Sequence, residues 1–487
     1  QLIDLDEALK EIHLPSSKDK LKKAITRLKY DEFLRFYSTL KILKDSNETS
    51  SKAKKIDLKA IDALISSLPF KLTSDQKKCI DDILKDLASP YMTTRLIQGD
   101  VGSGKTIVAA IALYASVKAG YQGALMAPTE ILAKQHYQSL KAILKDINIV
   151  MLSSDTKKDV EIKKMIEENK AQIIVGTHAL FSSDVIYHNL GLVIADEQHR
   201  FGVKQRRKLK EKGQDVDLLL MSATPIPRTL ASSIYGDMDV STIETMPVGR
   251  KGCDTYLLKS NSIVSIMDEI KKTMESGKQV YIIAAAIEHS DAIKVKDATS
   301  LYNSLLEVMK PYRLGLLHGK MNQELKDATM NDFINHEIDI LISTTVVEVG
   351  VNVKNATMMI IYDADRFGLS QLHQLRGRIQ RGEGRGTCYL LTDSKDENVL
   401  KRLNVLVNSN DGFYIASEDL KLRGPGDILG TRQSGLPPFI LGDLITDTKF
   451  IEACKKDAEE IIKRSSETEF KTYYAKIKSL SILNNVD

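Results

Sequence analysis

The chain has 487 residues, 43% hydrophobic and 28% charged, a balance that excludes a mostly disordered protein and allows about three globular domains. The formal net charge of +4 is too small to indicate or exclude a nucleic-acid partner, because affinity for a phosphate backbone depends on local contacts. The four cysteines lack metal-ligand spacing and no uncharged apolar run approaches the ~20 residues that span a bilayer, so we expect a reduced, cytoplasmic protein without a membrane partner.

Residues 1–70 are the first predicted unit, an N-terminal helical segment with a linker. Leu21, Ile25 and Leu28 recur at helical spacing with charged residues between them. The polar stretch 45–55 (DSNETSSKAKK) predicts a loop. Because the chain begins with Gln and not Met, we expect a processed or excised product that lacks an upstream domain.

Short apolar runs alternate with helical segments over the second predicted unit, residues 71–248. Runs rich in Val, Ile and Leu on both faces are what a buried parallel sheet requires, and the helices between them are the crossovers. The pattern therefore predicts a doubly wound α/β lobe. Its runs are 95–98, 124–127, 173–175, 192–195 and 218–221.

The same alternation returns and predicts a second α/β lobe over 249–410. The tail, 411–487, has a different composition: Gly and Pro are frequent through 424–438, and a charged helical pattern follows to the end. The tail is therefore predicted to be a separate module of helices and loop. The apolar runs of the second lobe are 280–286, 314–317, 340–342, 358–362 and 388–391.

A phosphate-binding loop is predicted between the first apolar run and a helix over 106–117. Residues 99–106 (GDVGSGKT) match the pattern of a glycine, four residues and Gly-Lys-Thr. The glycines allow backbone N–H groups to converge on phosphates, and the helix N-terminus adds partial positive charge. Lys105 is expected to reach the β- and γ-phosphates of ATP, and the Thr106 hydroxyl to bind Mg²⁺. The predicted nucleotide contacts in this loop are Gly99, Asp100, Gly102, Ser103, Gly104, Lys105 and Thr106.

Two acids follow the run 192–195, at the sheet edge where ligands bind in such folds. Asp196 is predicted to hold Mg²⁺ through water, and Glu197 to orient or deprotonate the attacking water. In the second lobe, Arg378 and Arg381 are candidate arginine fingers for the charge on the transferred phosphoryl group. A basic helix that faces solvent or DNA phosphates is the alternative for both arginines.

Taken in order, these segments resemble the motif series of the superfamily 2 helicases, and among them the RecG family of bacterial ATP-dependent DNA helicases. The similarity covers nearly the whole chain. It implies two tandem RecA-like lobes that use ATP and Mg²⁺ to remodel branched or duplex DNA in recombination and repair, in the cytoplasm and in association with the nucleoid. The most specific segments are 95–106 (RLIQGDVGSGKT), 127–135 (APTEILAKQ), 175–181 (VGTHALF), 196–205 (DEQHRFGVKQ), 222–228 (SATPIPR), 366–381 (RFGLSQLHQLRGRIQR) and 420–435 (LKLRGPGDILGTRQSG).

The resemblance also implies roles for individual residues. Gln76 would read the adenine edge, with Phe70 as a stacking platform. The segment from Arg423 to Gln433 would be the family's translocation motif, which couples the nucleotide state to DNA movement. A monomer is expected, with a single-stranded DNA-binding protein as a further partner. Residues along the DNA path, where hydroxyls and backbone amides suit phosphate contacts, would be Thr129, Glu130, Gly176, Thr177 and Thr345.

Several positions depart from the family pattern. Gln380 replaces a usual Gly between the two candidate fingers, Asn352 replaces an Asp, and Lys354 and Ala285 stand where Pro is common. We interpret these changes as drift without loss of ATPase activity, although Gln380 adds a side chain where the backbone passes near the nucleotide. The family also has an upstream wedge domain, an OB-fold, and without it we expect poor fork binding from a chain that keeps its ATP site.

Three other functions stay open as alternatives. The transcription-repair coupling factor, a double-stranded DNA translocase, has a similar motor, but residues 102–104 and 196–199 (DEQH) favour the RecG family. An RNA helicase of the DEAD class is disfavoured because Gln198-His199 replaces Ala-Asp. A nucleotide-gated binding switch would recruit partners without translocating along nucleic acid. The acids and the candidate arginine fingers argue against it, because a switch needs fewer residues for ATP hydrolysis.

Overall fold

The computed structural model describes residues 2–46, 50–152, 156–197, 212–213, 215–226, 231, 238–247, 249, 252–284, 291–344, 353–379, 384–423, 439–444 and 446–483. Within these ranges the chain forms two α/β lobes, each built on a parallel sheet, and helices from both ends of the chain pack together beside the first lobe. None of the described helices is long and apolar enough to cross a membrane.

The N-terminal segment is helical, as the sequence predicts. It comprises α1 (Leu5–His13), α2 (Lys18–Ser46) and α3 (Leu58–Ser67). Asp4 and Asp57 cap α1 and α3, because each carboxylate accepts a hydrogen bond from a backbone N–H of the first turn. The loop between α2 and α3 is fixed to the first lobe, since Ser50 forms a β-bridge with Tyr91 and the Lys54 side chain is buried.

The first lobe has a seven-stranded parallel sheet of order β3-β4-β2-β5-β6-β1-β7 within the described residues. The predicted runs correspond to β1, β2, β4, β5 and β6, while β3 and the polar β7 (DVSTI) are edge strands that the run pattern missed. The elements are α4 (Ser74–Leu87), β1 (Thr94–Gly99), α5 (Lys105–Lys118), β2 (Gln122–Met126), α6 (Glu130–Ile143), β3 (Ile149–Leu152), α7 (Thr156–Glu167), β4 (Ile173–Gly176), β5 (Leu190–Ala195), β6 (Asp217–Ser222) and β7 (Asp239–Ile243), with a 3₁₀ turn at His178–Phe181.

The second lobe has a six-stranded parallel sheet of order β10-β11-β9-β12-β13-β8 in the part of the chain that the structure describes. The strand β8 was not predicted; it lies at the sheet edge and exposes Tyr256. The elements are β8 (Cys253–Leu258), α8 (Met267–Glu275), β9 (Gln279–Ile283), α9 (Asp291–Val308), β10 (Leu314–Leu317), α10 (Gln323–Ile334), β11 (Ile340–Ser343), β12 (Ala356–Ile361), α11 (Leu369–Arg376) and β13 (Gly386–Leu391), with 3₁₀ turns at Ser260–Ile266 and Ala364–Arg366.

The C-terminal helices close the structure against its beginning. They are α12 (Glu397–Asn408), α13 (Gly412–Arg423), α14 (Thr448–Lys463) and α15 (Thr468–Leu483). Ile451, Cys454 and Ala458 form an apolar stripe on α14 at helical spacing, and this stripe shares one core with Phe33 and Tyr37 of α2. The first and last predicted units, far apart in sequence, therefore bury each other, and the proposed domain boundaries at 70, 248 and 410 stay predictions.

Candidate nucleotide site between the lobes

The phosphate loop connects β1 to α5 with the geometry that its glycines allow. Gly102 and Gly104 have φ angles of 76° and 89°, in the left-handed region that favours glycine. A Cβ atom on Gly104 would lie 2.2 Å from the Gln76 amide nitrogen, so a larger residue could not replace it without displacing Gln76. Lys105 Nζ donates to the carbonyl oxygens of Gly99 and Asp100, at 2.7 and 2.9 Å.

Gln76 supports this loop directly. Its side chain is buried, accepts a hydrogen bond from the Thr73 N–H in a capping box at the start of α4, and donates to the Ser103 carbonyl at 2.7 Å. Both ends of the amide therefore contact the loop or the helix cap, and recognition of adenine by Gln76 stays a prediction. Phe70, the predicted stacking platform, is half-exposed four residues before α4.

The two acids lie at the end of β5. The Asp196 carboxylate lies 2.8 Å from the Nε2 atom of His136, a residue of α6. The next residue, Glu197, has a left-handed φ of 57°. Such backbone strain in a non-glycine residue concentrates at functional sites. Burial opposes the ionisation of Asp196, but the hydrogen bond and charge of His136, together with Lys105, lower the pKa of this carboxyl below its ordinary value. The acid is therefore held ionised.

His136 is a site residue that the sequence did not reveal. It lies one residue beyond the segment 127–135, at a buried position of the amphipathic α6 between Ala133 and Leu140. A histidine packed in the core fits that position equally well, so periodicity alone carries no functional signal. Only the 2.8 Å contact with an acid 60 residues away identifies it.

A cavity of about 440 Å³ lies where the two lobes meet. Its volume falls in the range of about 300–1,000 Å³ that is usual for small-molecule sites. Lys105 contributes positive charge from the first lobe, and Lys354 and Arg378 contribute it from the second, an arrangement suited to a polyanion. The predicted site residues that line it are Gly102, Gly104, Lys105, Thr106, Asp196, Glu197 and Arg378.

The predicted Mg²⁺ donors fit the ion. Thr106 offers a hydroxyl and Asp196 a carboxylate held ionised, and both line the cavity. Mg²⁺ prefers such hard oxygen donors and typically takes one or two from the protein together with phosphate oxygens and water. Among the residues that the structure describes, no cluster of three or more His, Cys, Asp or Glu side chains could hold a metal by itself. The donor set therefore suits an ion that arrives with a nucleotide.

Four of the predicted DNA-path residues lie at the same edge of the first sheet as the phosphate loop, because every strand there is parallel. Thr129 caps α6, Glu130 is its first residue, Gly176 ends β4, and the following Thr177 is buried. Arg423 is the last residue of α13, although its side chain lies beyond what the structure describes. Other predicted or discussed positions outside the described residues are Thr345, Arg381, Gln433, Gln380, Asn352 and Ala285.

Two parallel-sheet lobes that line one phosphate-loop cavity define the class of the protein, a P-loop ATPase motor of the superfamily 2 helicase type. Family models agree: DEAD/DEAH box helicase matches residues 73–233, helicase conserved C-terminal domain matches 261–383, and the C-terminal part of domain 3 of ATP-dependent DNA helicase RecG matches 409–486. The chain is 46% identical over 469 residues to ATP-dependent DNA helicase RecG of Bacillus subtilis. It therefore belongs to the RecG family of ATP-dependent DNA helicases.

Other relatives give the extent of the similarity. The Bacillus subtilis alignment covers 95% of this chain and 69% of that relative, and a RecG helicase of Streptococcus pneumoniae is 45% identical with the same coverage. A solved structure of RecG bound to a three-way DNA junction superposes with a TM-score of 0.74 at 39% identity, over 93% of this chain and 60% of that one. The structure of the helicase MrfA bound to DNA and AMPPNP shares the fold, with a TM-score of 0.54 and 16% identity. That match covers 77% of this chain and 57% of the MrfA chain.

Proposed function

We propose that this chain hydrolyses ATP in the cavity between its lobes and uses the resulting lobe movement to remodel branched DNA, such as stalled replication forks and Holliday junctions. The observation that carries the proposal is the cavity itself, which brings the phosphate loop, the acids after β5 and Arg378 of the second lobe to one space. Membership of the RecG family and the similarity to a RecG chain bound to a three-way DNA junction support the choice of substrate.

The lining residues divide the chemistry between the lobes. The backbone amides around Gly102 and Gly104 and the N-terminus of α5 would hold the phosphates, with Lys105 at the β- and γ-phosphates. Glu197 would orient the attacking water and accept its proton. Bound Mg²⁺, held by Thr106 and Asp196, would supply charge neutralisation at the phosphate oxygens.

Arg378 gives the second lobe a part in this chemistry. Its place in the cavity lining suits a guanidinium that stabilises charge on the γ-phosphoryl group as hydrolysis proceeds. If the Arg378 guanidinium contacts the γ-phosphate only when the lobes are closed, ATP binds the closed form more tightly than the open form. Such a difference in affinity is what allows a nucleotide to drive domain closure. Arg381 is proposed as a second finger by resemblance.

The proposal extends to finer features that resemblance alone supports. These are action as a monomer, association with the nucleoid, contact with a single-stranded DNA-binding protein, and a step on duplex DNA transmitted by the segment from Arg423 to Gln433. The DNA path would pass Thr129, Glu130, Gly176, Thr177 and Thr345.

Steady-state ATPase rates with fork, four-way junction, linear duplex and RNA test the proposal. With each nucleic acid at saturating concentration, so that weak fork binding does not limit the rate, we expect the largest stimulation from the branched DNAs and none from RNA. Glu197→Gln is the control that binds nucleotide without turnover. Equal stimulation by linear duplex and fork would favour a translocase of the coupling-factor type. Stimulation by RNA alone would refute the DNA assignment, and full function of Glu197→Gln in cells would indicate a binding switch.

A further inference from the structure

The cavity between the lobes meets solvent beside three exposed residues. Of the described residues that line it, only Gln138, Ser139 and Lys354 are exposed, and the others are half-buried or buried. Gln138 and Ser139 belong to α6 of the first lobe, and Lys354 belongs to the turn before β12 of the second. The opening of the cavity therefore has one side on each lobe.

One face of α6 supplies the first-lobe side of this opening. Gln135, Gln138 and Ser139 recur at helical spacing, and all three line the cavity. Ile131 precedes Gln135 by about one helical turn on the same face, and it packs against the core of the second lobe. This face of α6 is therefore directed at the second lobe, and its polar part borders the cavity.

A fixed turn supplies the second-lobe side. Val353 is buried in the core of that lobe at 3% exposure. Asn355 Nδ2 donates to the Gly277 carbonyl at 3.0 Å, and the Asn355 carbonyl accepts from the Gln279 N–H at 3.0 Å. The residues on both sides of Lys354 are thus held, while its own side chain is exposed. Lys354 therefore presents a cation to the opening from a defined backbone position.

The order of the strands places this opening away from the predicted site of the nucleotide base. In the first sheet the order β2-β5-β6-β1-β7 runs from α6, which follows β2, to α4, which packs against β7 and carries Gln76. The phosphate loop follows β1, and the acids follow β5. Phe70 and Gln76, the residues predicted at the base, are not among the described residues that line the cavity. A nucleotide with its base at α4 would therefore extend its phosphates towards the acids, with the opening beyond the γ-phosphate.

Hydrolysis would release phosphate in the direction of this opening. The oxygen of the attacking water bonds to the γ-phosphorus in line with the bond to ADP that breaks, so water and ADP lie on opposite sides of the phosphoryl group. Glu197, proposed to orient that water and accept its proton, follows β5, the neighbour of β2, and so lies on the α6 side of the phosphate loop. The product phosphate keeps the water oxygen and moves away from ADP, and therefore towards α6 and Lys354.

The side chains at the opening suit this anion. Lys354 offers an ammonium group, Gln138 an amide and Ser139 a hydroxyl, and all of these donate hydrogen bonds to oxyanions. None of the three side chains has a hydrogen bond or an ion pair with any other residue in the described ranges. A phosphate at the opening would therefore gain these contacts without displacing existing ones.

We propose that Gln138, Ser139 and Lys354 form an exit site that binds inorganic phosphate after hydrolysis and through which it leaves the cavity. Lys354 supplies the charge, and because it stands where Pro is common in the family, the affinity of the site is a property of this chain. The exit site rests on the proposed function, since the phosphate is a product of ATP hydrolysis. It goes beyond that function by giving phosphate a path of its own, separate from that of ADP.

Binding of inorganic phosphate to the full chain with ADP and Mg²⁺ bound tests the site without turnover. The midpoint of thermal unfolding at increasing phosphate concentration measures the affinity. Lys354→Met, which keeps the length but removes the charge, should weaken phosphate binding roughly threefold to tenfold and change ADP affinity by less than about twofold. Lys354→Arg should keep most of the phosphate affinity. Lys272→Met, at an exposed position of α8 outside the cavity lining, should leave both affinities unchanged.

Obstruction of the opening tests the path. Ser139→Phe places a large side chain at the opening, and Lys134→Phe places the same side chain at an exposed position of α6 that does not line the cavity. In a single turnover, rapid quench measures ATP cleavage and a fluorescent phosphate-binding protein measures phosphate release. Relative to cleavage, release should slow on the order of tenfold in Ser139→Phe and should match the wild type in Lys134→Phe.

The outcomes separate the exit site from the proposed function. Equal phosphate affinity in wild type and Lys354→Met overturns the site, and so does an equal loss of ADP affinity, which would indicate a contact with phosphates that ADP retains. Release that follows cleavage equally closely in all variants, or that lags equally in both phenylalanine variants, overturns the path. A wild type that binds phosphate through Lys354 but cleaves no ATP supports the binding site and overturns the proposed function.

Discussion

The loop between α2 and α3 is attached to the first lobe by a buried ion pair whose loss should be measurable. Lys54 Nζ lies 2.6 Å from Asp217 Oδ2, and the two side chains are 1% and 5% exposed. Asp217 Oδ1 also accepts hydrogen bonds from the N–H and hydroxyl of Thr93, both at 2.8 Å. Lys54→Ala would therefore leave a buried carboxylate with polar donors but without its counter-charge.

The expected destabilisation follows from that environment. Removing one partner of a buried ion pair typically costs about 3–5 kcal/mol, because the remaining charge stays desolvated. The two hydrogen bonds from Thr93 still satisfy part of the carboxylate, so we expect the lower end, about 3 kcal/mol. At roughly 2–4 °C per kcal/mol for a unit of this size, the transition of the first lobe should fall by about 6–12 °C.

Differential scanning calorimetry of matched variants measures this effect. Lys52→Ala is the control, because Lys52 lies in the same loop with an exposed side chain. The double variant Lys54→Met with Asp217→Asn removes both charges and should lose less stability than Lys54→Ala alone. If Lys54→Ala melts within about 1 °C of Lys52→Ala, the pair contributes nothing measurable and the reasoning from burial is wrong.

Three other predictions concern separate parts of the molecule. Arg378→Ala should lower kcat by about 10³-fold or more with little change in AMP-PNP affinity, and an equal loss of both in a titration would contradict its role as a finger. The Glu32 carboxylate accepts hydrogen bonds from the backbone N–H groups of residues 440–442. Glu32→Gln should therefore speed amide hydrogen exchange of these residues by roughly tenfold. Unchanged exchange would show that the carboxylate does not stabilise this turn. Burial raises the pKa of the Cys79, Cys253 and Cys454 thiols to about 12, and raises that of the Cys388 thiol well above its ordinary value. At pH 8 a thiol reagent should therefore label no cysteine of the native protein and all four in denaturant; fast native labelling would contradict their burial.

Features that depend on neighbouring residues were predictable from the sequence. The phosphate loop needs glycines at fixed positions between a strand and a helix, and the structure places Gly102 and Gly104 there with left-handed φ angles. Central strands such as β1 and β5 are buried on both faces, so their apolar runs are continuous and mark the two lobes. The polar edge strand β7 has one face outside the core, and its alternating pattern gave no comparable run.

Contacts between distant parts of the chain were decided by the tertiary structure. His136 joins Asp196 across 60 residues, His373 joins Asp100 across 273, and α2 packs against α14 more than 400 residues away, with Lys29 paired to Asp447 across 418. In the sequence His136, His373 and Lys29 each occupy an ordinary helical position, where a core or surface side chain of the same type would leave the same pattern. The sequence by itself therefore determined the class of the motor and the nucleotide loop, whose chemistry is local. How the lobes and the two chain ends contact each other depended on packing, because burial and charge pairing exist only once the elements are assembled.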